Sequence, residues 1–283
     1  MKYIDVHGHI NFATYNVDRE ETIKRAFRSE VGIINIGTDL SSSVACLELA
    51  QKRENMWTTA GFHPIHSHDS VEDSLETGEF SQKVIPTKEF DFAKFEKLAS
   101  DRKVVAIGEC GLDYFHTSPA DVEAQREIFL KQIDLANKLN KPLMLHIRNG
   151  KTGTVYGPKG EFDSAYKEAV AILKEHAKVK ADFHFFTGTI EDAKAILEIG
   201  GYFSFTGVLT FTTDYDGVVR YIPLERIMAE TDCPYVAPVP YRGKRNEPVY
   251  VIEVVNAISR IRGDGPEATA KQLLENSKKF FGI

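Results

Sequence analysis

Several histidines and carboxylates in this chain sit where their neighbours make them chemically informative. His7 and His9 are two residues apart in YIDVHGHI; on a strand that spacing turns both side chains to one face, where they can hold one cation together. His146 and His184 lie inside the apolar runs PLMLHIR and ADFHFF. Glu109 closes VVAIGE, where a carboxylate beside so much apolar surface needs a cation or several donors. Asp232 ends RIMAETD, and His63 follows WTTAGF ahead of Pro64. Each has an ordinary explanation taken alone. HxH can be a surface pair, a lone His in an apolar run a hydrogen-bonded core residue, Glu109 the salt-bridge partner of Arg148, and Asp232 or His63 a turn cap. Yet all occupy the same kind of position, toward the C-terminal end of an apolar run, and one shared site explains them more economically than separate coincidences.

Mixed imidazole and carboxylate donors without cysteine suit zinc, manganese or magnesium, with more nitrogen than a pure magnesium site usually has. His7, His9, Glu109, His146, His184 and Asp232 exceed the needs of one tetrahedral ion. Two divalent metal ions sharing a carboxylate are the economical arrangement, and such pairs activate water and stabilise the attacking and leaving oxygens of a phosphodiester. Arg148, two residues beyond His146, falls on the same strand face and can grip a phosphate through its fork of donors; a salt bridge to Glu109 or Asp113 is the alternative.

Residues so far apart in sequence converge only if the strands carrying them open on one face. The runs YIDVH, GIINIG, WTTAGFH, VVAIGE, PLMLHIR, ADFHFF, YFSFTG and RIMAETD read as strands. Helical segments separate most of them. The clearest is VEAQREIFLKQIDLANKLN, with Phe129, Ile133, Ala136 and Leu139 on one face; AYKEAVAILKEHA and TIEDAKAILEIGG follow, the latter ending in a Gly pair suited to a helix C-terminus. Parallel strands need such crossovers, and eight of them close a barrel. The expectation is therefore an α/β fold, a (β/α)8 TIM barrel forming a single domain over 1–283. An open doubly wound sheet is the alternative, without a GxGxxG or GxxxxGK[ST] loop to support nucleotide binding.

Two polar stretches, 66–88 and 149–160, follow strand ends and should border the barrel mouth. The second carries Lys151, Tyr156 and Lys159 among glycines, a mixture able to track a single strand by charge and stacking, or else a solvated hairpin. Arg242, Lys244 and Arg245 in YRGKRNEP form a basic cluster near the same mouth, whereas Glu247 reads as structural.

Lysine and arginine are outnumbered by aspartate and glutamate, 35 to 41, which argues against nonspecific binding along duplexes and requires any nucleic acid to be held locally. Cys46, Cys110 and Cys233 are widely separated and fit neither a disulfide framework nor a zinc ribbon. With charged residues at once after the N-terminus and no apolar stretch of roughly 18 to 20 residues, the expected location is cytoplasmic, with no membrane and no obligate protein partner evident.

Taken together, IDVHGHI, AGFHP, AIGECGLDYF, PLMLHIR, FHFFTG, ETDCPYVAPVPYRGKRNEP and LLENSKKFFGI resemble the TatD family of metal-dependent hydrolases, in order and approximate spacing across residues 4–283. The resemblance implies that His7, His9 and Asp232 hold one metal, His146 and His184 the second, and that Glu109 bridges them. It implies a further role for Asp232, managing the proton of the attacking water, and places His63 against the substrate phosphate. The activity implied is phosphodiester hydrolysis in DNA, a 3'-exonuclease acting on single strands. Phe185 departs from the family, which often has a small residue or cysteine there, and both polar loops are longer than its compact pattern. Those departures bear on substrate preference and leave the ligand set intact. Two other functions fit the same residues: a metal-dependent esterase, amidase or aminoacyl-tRNA deacylase, since an activated water also attacks carbonyls, and a non-catalytic metal-binding protein. The last has no need of an aspartate beside the reacting water.

Overall fold

All eight apolar runs become strands of one sheet in the computed structural model, which describes residues 1–67, 70–71, 84–85, 89–118 and 121–283. They are β1 (Tyr3–Gly8), β2 (Val31–Asn35), β3 (Met56–Ala60), β4 (Val104–Asp113), β5 (Leu143–Arg148), β6 (Ala181–His184), β7 (Tyr202–Phe205) and β8 (Ile227–Ala229). Each pairs with its sequence neighbour, always parallel. Every residue of β2 and of β4 is buried, as strands covered on both faces must be.

The crossovers are helical: α1 (Arg19–Arg28), α2 (Leu40–Gln51), α3 (Phe92–Ala99), α4 (Val122–Leu139), α5 (Ala165–His176), α6 (Ile190–Glu198) and α7 (Asp216–Tyr221). Two further helices, α8 (Val251–Arg262) and α9 (Pro266–Phe281), follow the last strand. Local chemistry fixes their starts. Asp39 with Ser42 and Thr189 with Asp192 form capping boxes on α2 and α6, and the Ser164 hydroxyl accepts the Lys167 N–H on α5. In α4 the expected stripe is buried at Phe129, Ile133 and Ala136, while Leu139 is only partly covered. Helix α6 runs out just before Gly200, whose φ of 73° is the left-handed conformation that ends helices and favours glycine.

The barrel closes between β8 and β1 without a regular ladder. Three backbone-anchored contacts join the two strands: the Asp232 N–H donates to His7 O (2.8 Å), the His9 N–H to Cys233 O (2.7 Å), and the Thr231 N–H to the buried Asp5 carboxylate (2.8 Å). This nearly closed seam thus brings the first and last strands together at the residues singled out above. Alternation decides what faces inward. Leu143, Leu145 and Ile147 of β5 join the large cluster shared with the helices, which leaves Met144, His146 and Arg148 to the barrel interior and its mouth. No helix among the described residues is long and apolar enough to cross a membrane.

Candidate metal centre

His7 and His9 meet as their spacing predicts, their Nε2 atoms 3.2 Å apart, although His9 lies one residue beyond the end of β1. Asp232 arrives across the seam, its carboxylate 3.4 Å from His9 Nε2 and 3.8 Å from His7 Nε2. Glu109, within β4, stands between this group and a second one. Its Oε2 lies 3.4 Å from His7 Nε2, while its Oε1 lies 3.0 Å from His146 Nδ1, 3.2 Å from His184 Nε2 and 3.5 Å from His63 Nε2. One carboxylate thus offers a separate oxygen to each side.

His63 does two things at once: its Nδ1 accepts the Ile65 N–H at 3.1 Å, as a turn cap would, and its other nitrogen faces Glu109. The cavity they share measures about 490 Å³ and is lined by His9, His63, Glu109, His146, Arg148, His184 and Asp232. Phe185 lines it too, with a φ of 47° that bulky side chains seldom adopt.

Burial opposes ionisation of Glu109, but His63, His7 and His184 together with the hydrogen bond from His146 hold its carboxyl well below the ordinary range. Asp232 behaves likewise: burial opposes its charge, and His9, His184 and His7 keep its carboxyl low. The imidazoles cannot all supply the matching positive charge. Burial lowers His7 and His63, whereas the carboxylates outweigh burial at His184 and push His146 up to about 9. The Nδ1 atoms of His7 and His9 are buried without a hydrogen-bond partner. Donor atoms of His7, His9 and Asp232 lie within 4.8 Å of one another, as do those of His7, Glu109 and His184 and those of His63, Glu109 and His146. Nitrogen lone pairs and carboxylate oxygens packed this closely fit divalent cations, which would compensate them in a way a few shared protons cannot.

Several residues holding this arrangement escape a reading of the sequence. Glu230 accepts from His184 Nδ1 (3.1 Å) and from the Phe185 N–H (2.6 Å), and is fully buried. It lies two residues before Asp232, the same period of two that exposes His7 and His9, and that period was the available signal. Carboxylates behind a ligating imidazole fix its tautomer and ring orientation. Glu230→Ala is therefore expected to weaken divalent-ion binding about 10- to 100-fold in a metal titration. Unchanged affinity would reduce Glu230 to a packing residue.

Asp113 acts at the other end, its Oδ2 2.9 Å from His146 Nε2 and 2.9 Å from His116 Nδ1. Neither it nor Glu109 pairs with Arg148; the Arg148 guanidinium instead lies 4.4 Å from the centre of the Phe115 ring, at the cavity rim. Gln132 clamps the backbone of Phe62, next to His63, by accepting its N–H and donating to its carbonyl, and Gln125 does the same for Asp113. These glutamines, seven apart on α4, would pass for solvent-facing positions in sequence.

The basic cluster is partly consumed by the fold. Arg245 pairs with Asp18 at 2.6 Å and Glu247 with Arg25 at 2.8 Å, tying the loop after β8 to α1, while Arg242 lies over Phe211. Tyr156 corrects the expectation of a stacking loop: it is buried against Tyr114, and its hydroxyl accepts the Gly150 N–H. Lys151 and Lys159 remain exposed. Of the 66–88 stretch, His66 and Ser67 are buried, and Ser70–Val71 pairs antiparallel with Val84–Ile85; the rest lies outside the described residues.

A parallel barrel with buried histidines and carboxylates converging at the C-terminal ends of its strands defines a metal-dependent hydrolase, and the relatives of this chain agree with that class. Residues 4–282 match the family of TatD related DNases, and the chain belongs to that family. It is 34% identical to the uncharacterized metal-dependent hydrolase YabD of Bacillus subtilis, over 99% of this chain and 98% of that protein. It is 32% identical to the 3'-5' ssDNA/RNA exonuclease TatD of Citrobacter rodentium, over 99% and 97% respectively. Among solved structures, the TatD homologue YjjV of Escherichia coli superposes with a TM-score of 0.79 at 23% identity, covering 100% of this chain and 98% of that one.

Proposed function

We propose that this protein hydrolyses phosphodiester bonds at the 3' end of single-stranded DNA, using two divalent cations. The observation that carries the reading is the division of Glu109, with one oxygen toward His7 and the other toward His146 and His184. His7, His9 and Asp232 would hold one cation, His146 and His184 the other, and Glu109 both. Zinc, manganese and magnesium all match these donors to differing degrees. When bound, such ions lower the pKa of water and neutralise charge on the attacked group and the leaving oxygen.

The chain's own groups do the rest. Asp232 lines the cavity with its carboxyl held ionised, and takes the proton from the attacking water. His63 and Arg148 line the same cavity and take the phosphate oxygens, Arg148 through its fork of donors. A relative named for exonuclease action on single-stranded DNA and RNA supports this choice over a carboxylic ester, an amide or an aminoacyl-tRNA.

The test is to assay metal-reconstituted protein against end-labelled single strands and a panel of carboxylic esters side by side. Stepwise loss of nucleotides from the 3' end is expected, with esters turned over slowly. Rapid ester turnover with the strands left intact would transfer the site to carbonyl chemistry.

A further inference from the structure

Resting on the phosphodiesterase reading, we infer that Phe115 and Lys151, together with Arg148, form a subsite for the nucleotide next to the one being released. Phe115 is 40% exposed at the turn after β4, next to Arg148 of the cavity lining. Arg148 and Lys151, at and beyond the end of β5, both converge on it, the guanidinium 4.4 Å and the ammonium 5.3 Å from the ring centre. Neither cation forms an ion pair with any described residue, and Arg148 also lines the cavity that holds His63 and Asp232. Two like charges gathered over one exposed ring repel each other, and the weak cation–π attraction at an exposed site returns little of that cost. A polyanion returns more.

The turn that carries the ring is also held in place rather than left to drift. The Phe115 and His116 N–H groups donate to Asp113 Oδ1, at 2.8 and 2.9 Å, and Asp113 is fully buried. The other oxygen of the same carboxylate meets His146. One buried group therefore sets both a candidate metal-holding imidazole and the turn presenting Phe115, so the distance from reacting phosphate to ring is built into the fold. An exposed aromatic surface flanked by unpaired cations is the chemistry that binds single-stranded nucleic acid, the base on the ring and the phosphates on the cations. The base must be unstacked from its neighbours to reach the ring, which selects single strands over duplex.

The experiment compares cleavage of a trinucleotide by metal-loaded protein with cleavage of the same trinucleotide lacking its middle base. Intact substrate is expected to have a kcat/KM about tenfold higher, from base–aromatic stacking. Phe115→Ala should bring the two within about twofold, and Phe115→Trp should restore the preference, which a merely structural role for the ring would not produce. Binding of a labelled single strand measured against salt supplies a second readout: Lys151→Ala should reduce the slope of log affinity by about 0.7. A preference that survives Phe115→Ala, or a slope unchanged in Lys151→Ala, overturns the subsite. Wild-type protein that cleaves both trinucleotides equally also overturns it and leaves the phosphodiesterase reading standing. Cleavage of neither removes that reading and the subsite with it.

Discussion

Asp232→Asn is expected to fold normally and to lose about 10³-fold in kcat. The backbone at Asp232 adopts a φ of 51°, a conformation that asparagine tolerates about as well as aspartate. Its N–H donates to His7 O and its carbonyl accepts the Tyr235 N–H, so the seam between β8 and β1 is held by atoms the substitution does not touch. What changes is the side chain. An amide can still lie near His9, but it carries no charge and cannot accept a proton from water at neutral pH. The comparison needs thermal unfolding and turnover measured on the same preparation at saturating metal. Turnover equal to wild type would remove Asp232 from its role as base, and would favour a protein that binds metal without catalysis.

Glu109→Ala is expected to act on metal content as strongly as on rate. In the wild type, metal analysis should find up to two equivalents of a divalent ion. The substitution removes the oxygen facing His7 and His9 and also the one facing His146, His184 and His63. Both sites should weaken together, and activity should fall by at least about 10²-fold, since positioned charge of this kind is worth that much at a reacting centre. Glu109→Gln keeps the volume and separates loss of charge from loss of packing. Full metal content in Glu109→Ala would contradict a shared ligand.

The fold was legible because its signals are local. Strands buried on both faces must be short apolar runs, and the helices between them must carry apolar stripes, so YIDVH and the α4 segment declare themselves without tertiary information. His7, His146 and His184 stood out for the related reason that they interrupt such runs. What local patterns leave out depends on closure. That Asp232 meets His7 follows from a seam joining strands more than two hundred residues apart in the chain; no local pattern specifies it, and in the sequence only convergence at one barrel mouth and the family resemblance put the two together. Gln125 and Gln132 are polar residues taken up by the backbones of Asp113 and Phe62, and a hydrophobicity pattern counts them as solvent-facing. Arg245 and Tyr156 show the opposite error: residues suited to a nucleic-acid surface are taken up by Asp18 and by Tyr114. Composition announces what a side chain can do, whereas its partners decide whether it is free to do it.

Diffraction from crystals soaked in manganese, recorded for anomalous scattering, tests the two-cation centre most directly. The expected result is two peaks inside the cavity, one among His7, His9 and Asp232 and one beside His146 and His184, with Glu109 touching both. A single peak, or two peaks with Glu109 turned away from either, would contradict the account.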